Sequence, residues 1–441
     1  EGDYVFSVRS DAHSVLDSIT AHLPEQYFFS GEDKRSTDET VAVNQFEDAA
    51  RGEYLSRQNS FANYASAMSS VRPVIENLDQ LENDNLYDAA LDNVVTKEYK
   101  KGVDYAAKGS LTFADMKGLS YDDPKWDELI SQMTLEELAR FDGETMYASA
   151  AIDSIKKPMT TDADGPLGLS SMFKSDLVYV AFPCVPLLSG SFNTKLAYAM
   201  GSTVADQAEL NGITSWYAPA MDTHRFMNSG RNFEYYSEDA TLGAYTAVSE
   251  TLGAMDKNMI VYIKHFALND MESNREFVHT YSNEQAIREI YLKPFEYAVK
   301  YGRANGVMSS MNYIGDIYAG AHLGLLTNVL RNEWGFLGTI LTDMDQAGEV
   351  RSFWRSIRTG VDFWLGYSGA KIEPSSDADI YYLQRAAHNH LYQLANSNIR
   401  PVEVYPWRTC LNIIYAELGL LAAACVAGII IRTVKSRKRS A

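Results

Sequence analysis

Between residues 126 and 398 the chain repeats one texture: a short apolar run, closed by polar or charged residues, then a stretch with helical spacing. The runs include KPMTTDADG, SWYAPAMDTHR, MIVYIKHF, GVMSSMN, GTILTDMD and GVDFWLG. Runs this short, bounded by turn residues, predict buried strands. The segment EQAIREIYLKPFEYAVKYG shows the helices between them. Its Ile287, Ile290, Tyr291, Pro294 and Ala298 fall on one face, and Gly302 stops it. Strand alternating with helix predicts an α/β fold, either a (β/α)8 TIM-type barrel or a doubly wound sheet. Asp164, Asp222, His265 and Asp343 stand at the carboxyl ends of the predicted strands. A barrel gathers such ends on one rim, which favours the barrel.

Upstream the texture changes. Residues 1–13 contain GDYVFSVRSDAH, where Tyr4, Phe6 and Val8 alternate with Val5 and Ser7 as in a half-buried strand. A single strand is no domain, so it is expected to end a sheet module lying upstream. Residues 14–125 are polar and helix-permissive, with acidic clusters such as ENLDQLENDN, and are expected to connect domains without carrying chemistry. The opening at Glu1 shows no charged-then-apolar leader, so the chain is expected to be a processed form or a fragment.

The carboxyl end has a different pattern again. Residues 411–431, LNIIYAELGLLAAACVAGIII, are long and apolar enough to cross a bilayer. Tyr405 and Trp407 stand where an interfacial aromatic belt would, and five of the last ten residues are Lys or Arg. The expectation is a transmembrane anchor over 405–432 with a basic cytoplasmic tail at 433–441, which places the rest of the chain outside the cell. Glu417 is a cost within such a span, and the alternative is an amphipathic helix packed on the protein.

Composition narrows the function. Among 441 residues, 46% are hydrophobic, enough for a large core, and the formal net charge of −19 argues against nucleic acid as a partner. The 28 tyrosines either fill core and surface or partly line a site for a polyhydroxylated ligand, where a ring face and a hydroxyl are both useful. Three cysteines, Cys184, Cys410 and Cys425, exclude a disulfide-stapled scaffold and a cysteine-rich zinc site. The chain has no G-x-S-x-G elbow, no P-loop and no H-E-x-x-H signature. His388 and His390 are two apart and point to different faces of a helix, so they make a poor metal pair.

Four motifs then point one way. KHFALNDMESNR at 264–275 resembles the Lys-His signature of glycoside hydrolase family 3, the retaining β-glucosidases, β-xylosidases and relatives. DADGPLGL resembles that family's Asp-Gly-Pro motif, WYAPAMDTHRFMNSGRNFEYYSED its Gly-Arg-Asn-Phe-Glu block, and LRNEWGFLGTILTDMD the segment ending in its nucleophile. The resemblance covers residues 126–398, the family's barrel domain. It implies Asp343 as nucleophile, with Asp164, Arg231, Lys264, His265 and Arg275 around the sugar, and neither metal nor organic cofactor. Retaining hydrolysis needs an ionised, rigidly aimed carboxylate and a second carboxyl as acid, about 5 to 5.5 Å apart. Charge-assisted partners replace the hydrogen bonds that a buried sugar loses from water. Asp345, two residues on, is expected to be a supporting or loop-capping carboxylate.

The chain also departs from the pattern. Met311 stands where the family commonly has a tyrosine beside the nucleophile, Ser170 where an arginine is usual, and Met344 where a tryptophan is usual. Tyr313 is a candidate substitute hydroxyl. No acid/base is assignable, and neither Glu272 nor Glu349 is promoted to that role. In most members it comes from a separate α/β domain; in members with inverted domain order that domain comes first. The strand at residues 1–13, similar to the end of a fibronectin-like module, suits that order. The reading is a membrane-anchored, extracellular, exo-acting β-glycosidase, β-glucosidase-like, acting on oligosaccharides or aryl and alkyl β-glycosides. Its rivals are a non-catalytic carbohydrate-binding relic, another glycosidase of the family such as a β-xylosidase, and a metal-dependent barrel hydrolase.

Overall fold

The computed structural model describes residues 2–11, 13–25, 32–50, 53–56, 59–70, 104–143, 146–173, 175–344, 353–366 and 372–399, and short helical pieces at 414–415, 418–419 and 426–428. The chain divides into two compact units, Glu1–Ile399 and Arg400–Ala441. In the second, no helix of the described residues is long and apolar enough to cross a membrane. Most of the predicted span, with Tyr405, Trp407, Cys410, Glu417, Cys425 and the basic tail, lies outside the described residues.

The first unit opens with a hairpin, β1 (Gly2–Arg9) against β2 (Val15–Leu23), paired from Gly2↔Leu23 to Arg9↔Val15. Asp11 closes the turn by accepting the main-chain N–H groups of His13 and Ser14, each at 2.8 Å. The expected lone strand therefore has a partner within residues 14–125. Val15, Ile19 and Leu23 carry the period of two, but Asp17 and Ser18 obscure it in the sequence.

Residues 32–50, inside the expected connector, pack on the α/β unit. Phe46 and Ala49 are fully buried in its core. The main-chain N–H groups of Gln45 and Phe46 donate to Glu284, and Asp38 is buried between Arg35 and Lys300. Phe113 and Met116 likewise enter a second core cluster beneath helix Asp377–Ala395.

The central sheet has the order β11-β8-β6-β5-β4-β3. Strands β4 (Thr160–Asp164), β5 (Ser215–Tyr217), β6 (Ile260–Phe266), β8 (Gly306–Ser309) and β11 (Thr339–Leu341) run parallel, and Leu341 bridges to Phe363 in parallel. Three short strands, β7 (His279–Thr280), β9 (Tyr313–Ile314) and β10 (Ile317–Tyr318), form a separate small sheet.

This corrects the expected eight-stranded barrel. The described residues form an α/β unit with a curled, partly open sheet whose first strand, β3 (Ala148–Ser149), is antiparallel to β4. Lys157 explains the reversal. Ile152 and Lys157 bridge in a tight turn, and the buried ammonium donates to Ser149 O, Ser149 Oγ and Ala150 O at 3.1, 2.6 and 2.6 Å. Burial pulls its pKa down to about 7. Those bonds hold the returning chain against β3 and leave no length for another parallel crossover.

The helical segment after Glu284 keeps most of the expected face. A π-helical turn at Ile287–Tyr291 precedes Pro294, which has no N–H to offer. Ile287, Pro294 and Ala298 are buried as expected, with Phe295 beside them, whereas Ile290 is 39% exposed. Helices Thr194–Asn211 and Ala240–Met255 meet backbone to backbone. A Cβ on Gly201 would fall 2.0 Å from Glu250 O, and one on Gly253 would fall 2.1 Å from Tyr198 O.

Glu250 itself is buried in that seam, and burial pushes its carboxyl up to about 8; the Tyr236 hydroxyl, donating at 2.7 Å, offsets only part of this. The folded state holds a proton that an unfolded glutamate releases near pH 4.3. Stability from this group is therefore full below about pH 4 and declines until about pH 8. Glu250→Gln is expected to gain on the wild type as pH rises through that window. Urea melts at a series of pH values test it, and parallel stability–pH curves would remove Glu250 as the cause.

Candidate active site

Asp343 follows β11 by two residues. Thr342 fixes the exit from the strand: its N–H donates to Phe363 O at 3.0 Å, and its hydroxyl accepts from the Leu365 N–H at 2.9 Å. These tie the strand end to its neighbour, so the following carboxylate is held by buried backbone. Asp343 is 8% exposed, and its Oδ1 accepts the Met344 N–H at 2.6 Å. Asp345 and Glu349 lie outside the described residues.

The end of β6 supplies two more groups. Lys264 is buried, and its ammonium donates to Asp164 Oδ1 at 2.5 Å. Asp164 ends β4, where Gly165 must turn with φ +105°; a Cβ there would strike Gly168 O at 1.9 Å. Burial raises the Asp164 carboxyl, but the Lys264 ammonium, the Gly165 N–H and the Arg231 charge more than offset it, so its pKa lies below the usual range.

His265 sits between two carboxylates. Its Nε2 lies 3.8 Å from Asp343 Oδ2, and its Nδ1 lies 3.7 Å from Asp222 Oδ2 and 3.0 Å from the Tyr235 hydroxyl. Burial, with the charges of Arg231, Lys264 and Arg275, pulls its pKa well below the ordinary value, so the imidazole is neutral. Asp222 aims this stretch through the backbone. Its oxygens accept the main-chain N–H groups of His265 at 2.7 Å and Asn269 at 2.9 Å. Burial drives the Asp222 carboxyl well up.

Arg231 enters from the Gly-Arg-Asn-Phe-Glu block. Glu234, three residues on, grips it at both oxygens, at 2.6 and 2.9 Å, while Glu272 lies 3.8 Å away. Burial would lower the Arg231 pKa, but Tyr235, Glu234 and Asp343 together raise it well above normal. Arg275 donates to Glu272 Oε2 at 2.8 Å.

The structure thus gathers Asp164, Lys264, His265, Arg231 and Asp343 around one rim of the sheet. Arg275 stands one step back, joined through Glu272, and among the described residues it makes no ion pair with Asp343. Sequence reasoning missed Tyr235, Asn269 and the anchoring roles of Asp222, Glu234 and Glu272. The Arg-x-x-Glu spacing could have revealed Glu234; nothing local marks Tyr235. Tyr313, the candidate substitute hydroxyl, stacks on His279 with centroids 4.6 Å apart in the small sheet. Met311 is buried, and Ser170 pairs with the Asp164 backbone through two 2.7 Å hydrogen bonds. His388 stacks on Tyr121 and His390 on Phe141, each a packing role. Among the described residues, no group of three or more His, Cys, Asp or Glu side chains is placed to hold a metal ion.

Residues 128–366, more than half of the chain, match the Glycosyl hydrolase family 3 N terminal domain. The chain belongs to this family. Its family 3 relatives include Beta-glucosidase A of Butyrivibrio fibrisolvens, 33% identical over 247 residues, which cover 54% of this chain and 29% of that protein. A Beta-glucosidase of Rhizobium radiobacter is 35% identical over 220 residues, covering 49% and 27%. The fold is similar to that of a beta-glucosidase from Paenibacillus barengoltzii, with TM-score 0.59, 26% identity and coverage of 70% of this chain and 37% of that one. Beta-glucosidase 3B from Thermotoga neapolitana, solved in complex with glucose, gives 0.55 and 29%, covering 62% and 43%. The matched stretch spans under a third of the two sequence relatives.

Proposed function

We propose that this chain is the nucleophile-bearing part of a retaining, exo-acting β-glycosidase, most similar in substrate to the β-glucosidases. The observation that carries the reading is Asp343: a carboxylate held at a strand end, facing His265, with Arg231 and the Lys264–Asp164 pair on the same rim. In the first step an Asp343 oxygen bonds the anomeric carbon of a terminal β-linked sugar. The glycosidic C–O bond breaks, and the leaving oxygen takes a proton from an acid. In the second, water attacks the same carbon, gives its proton to that conjugate base and frees Asp343. Asp164 and Lys264 would hold sugar hydroxyls away from the reacting carbon, with Arg231 beside further hydroxyls.

The acid/base is proposed to come from outside this chain, from an α/β domain preceding it in the complete protein. Glu272 is a poor candidate because its carboxylate is already engaged by Arg275 at 2.8 Å, with Arg231 3.8 Å away. The test is hydrolysis of an aryl β-glucoside by the complete protein, with the first-formed anomer read by NMR. A β-anomer supports retention, and an α-anomer would exclude a glycosyl-Asp343 intermediate.

A carbohydrate-binding relic is the second reading, favoured by Met311 and Met344 where aromatic residues are usual in the family. Sugar binding without turnover by the complete protein would select it. We also propose that residues 411–431 anchor the protein with the α/β unit outside the cell, because the basic residues follow the apolar run. Protease digestion of intact cells checks this, since a protected α/β unit would contradict it.

A further inference from the structure

We infer that Tyr235 is a positioning residue that fixes His265 as its Nε2–H tautomer, with the polarity of its hydrogen bond set by Glu272 through Asn269. The inference deepens the glycosidase reading and rests on it for its catalytic consequence, although the tautomer can be measured without turnover.

Glu272 lies between Arg275, at 2.8 Å, and Arg231, at 3.8 Å, so it is a carboxylate that accepts and does not donate. Its Oε1 lies 2.8 Å from the Asn269 side chain, and the group presented there must be the amide NH2. The opposite amide orientation would place Asn269 Oδ1 against that carboxylate oxygen. In the orientation observed, Oδ1 is buried and has no hydrogen-bond partner among the described residues. The network accepts this cost rather than set two acceptors together.

The same NH2 lies 2.8 Å from the Tyr235 hydroxyl, which therefore accepts there. Tyr235 is buried, and among the described residues the other partner of its hydroxyl is His265 Nδ1 at 3.0 Å. With the amide donating to it, the hydroxyl sends its own proton to Nδ1. Nδ1 is then the acceptor, and a neutral imidazole with Nδ1 as acceptor carries its proton on Nε2. That N–H faces Asp343 Oδ2 across 3.8 Å.

Among the described residues, Asp222 is the other group near Nδ1 that could draw the proton there instead. It lies 3.7 Å away, too far for a hydrogen bond, and its Oδ2 already accepts the His265 main-chain N–H at 2.7 Å. Asp222 thus orients the backbone while Tyr235 orients the ring. An Nε2–H donor suits a site built around a carboxylate and sugar hydroxyls. The other tautomer would set a lone pair against both Asp343 and any hydroxyl acceptor.

The test uses the full chain labelled with [15N]histidine and two-bond 1H–15N spectra, in which the two tautomers give different cross-peak patterns; His265→Gln assigns the resonance. The wild type is expected to show the Nε2–H pattern. Tyr235→Phe, which keeps the ring but removes the hydroxyl, is expected to lose the single tautomer. Glu272→Gln, which presents either an oxygen or an amide to Asn269, is expected to mix the two. An Nδ1–H pattern in the wild type would overturn the inference, as would an unchanged Nε2–H pattern in Tyr235→Phe with folding intact by circular dichroism. If the spectra behave as expected but the complete protein hydrolyses no glycoside, the tautomer assignment stands and the glycosidase reading fails. With hydrolysis, Tyr235→Phe is expected to lower kcat by roughly tenfold or more with a smaller change in KM, as for a lost transition-state contact.

Discussion

Asp343→Ala is expected to lower kcat/KM toward an aryl β-glucoside by roughly 10³-fold or more, about 4 kcal/mol of barrier or greater, in the complete protein. The reason is chemical. Without the carboxylate no covalent intermediate forms, and neither His265 nor Arg231 replaces a nucleophile. Stability is expected to change little, because among the described residues the side chain's one hydrogen bond is to the Met344 N–H, with His265 3.8 Å away. Steady-state kinetics beside thermal melts separate the two effects. Azide, small enough to enter the space left by the carboxyl, is expected to restore turnover and give the α-glucosyl azide. Activity within tenfold of wild type would transfer the nucleophile's role to another residue.

The largest stability effect is expected at Arg331. Its guanidinium donates to Asp362 Oδ2 at 2.5 Å and to the Gly338 and Gly360 carbonyls, each at 3.1 Å. Asp362 is fully buried and also accepts the Ile340 N–H and the Asn389 amide, each at 2.8 Å. The cluster joins β11 to the strand at Phe363 and to helix Asp377–Ala395, and thereby fixes the backbone that carries Asp343. Arg331→Met leaves a buried carboxylate without its cation, at a cost of about 3–5 kcal/mol. Burial already raises the Asp362 pKa, and removing Arg331 raises it further. A carboxyl with a raised folded pKa costs nothing below its unfolded value and more as pH rises. The variant should therefore be closer to the wild type at about pH 4 than at neutrality. Urea melts at both values check this, and a pH-independent difference would point to lost packing instead.

Much of the site was legible before the fold because its residues lie at strand ends, where period and chemistry coincide. Asp164, Lys264, His265 and Asp343 each close a short apolar run, and the sheet brings them together. Arg231 was legible from its block, and Arg275 donates to Glu272, which lies 3.8 Å from Arg231. What the sequence hid depends on long-range geometry. The reversal of β3 turns on one buried lysine, Lys157, whose acceptors are two backbone carbonyls and the Ser149 hydroxyl. The π-helical turn before Pro294 leaves Ile290 39% exposed while Ile287, Pro294 and Ala298 stay buried, which no fixed period anticipates. Tyr235 gains its role only where the block after β5 meets the end of β6. Phe46 was hidden by the polar residues around it in the expected connector, yet it is fully buried against the α/β unit.

The central claim is that Asp343 bonds the anomeric carbon. Its most direct test is incubation with 2-deoxy-2-fluoro-β-glucosyl fluoride, whose activated leaving group needs little protonation, followed by proteolysis and mass mapping of the labelled peptide. The expected result is one sugar adduct on the peptide containing Asp343, absent in Asp343→Ala. A label on any other carboxylate, or no label on complete protein that hydrolyses aryl β-glucosides, would contradict the account.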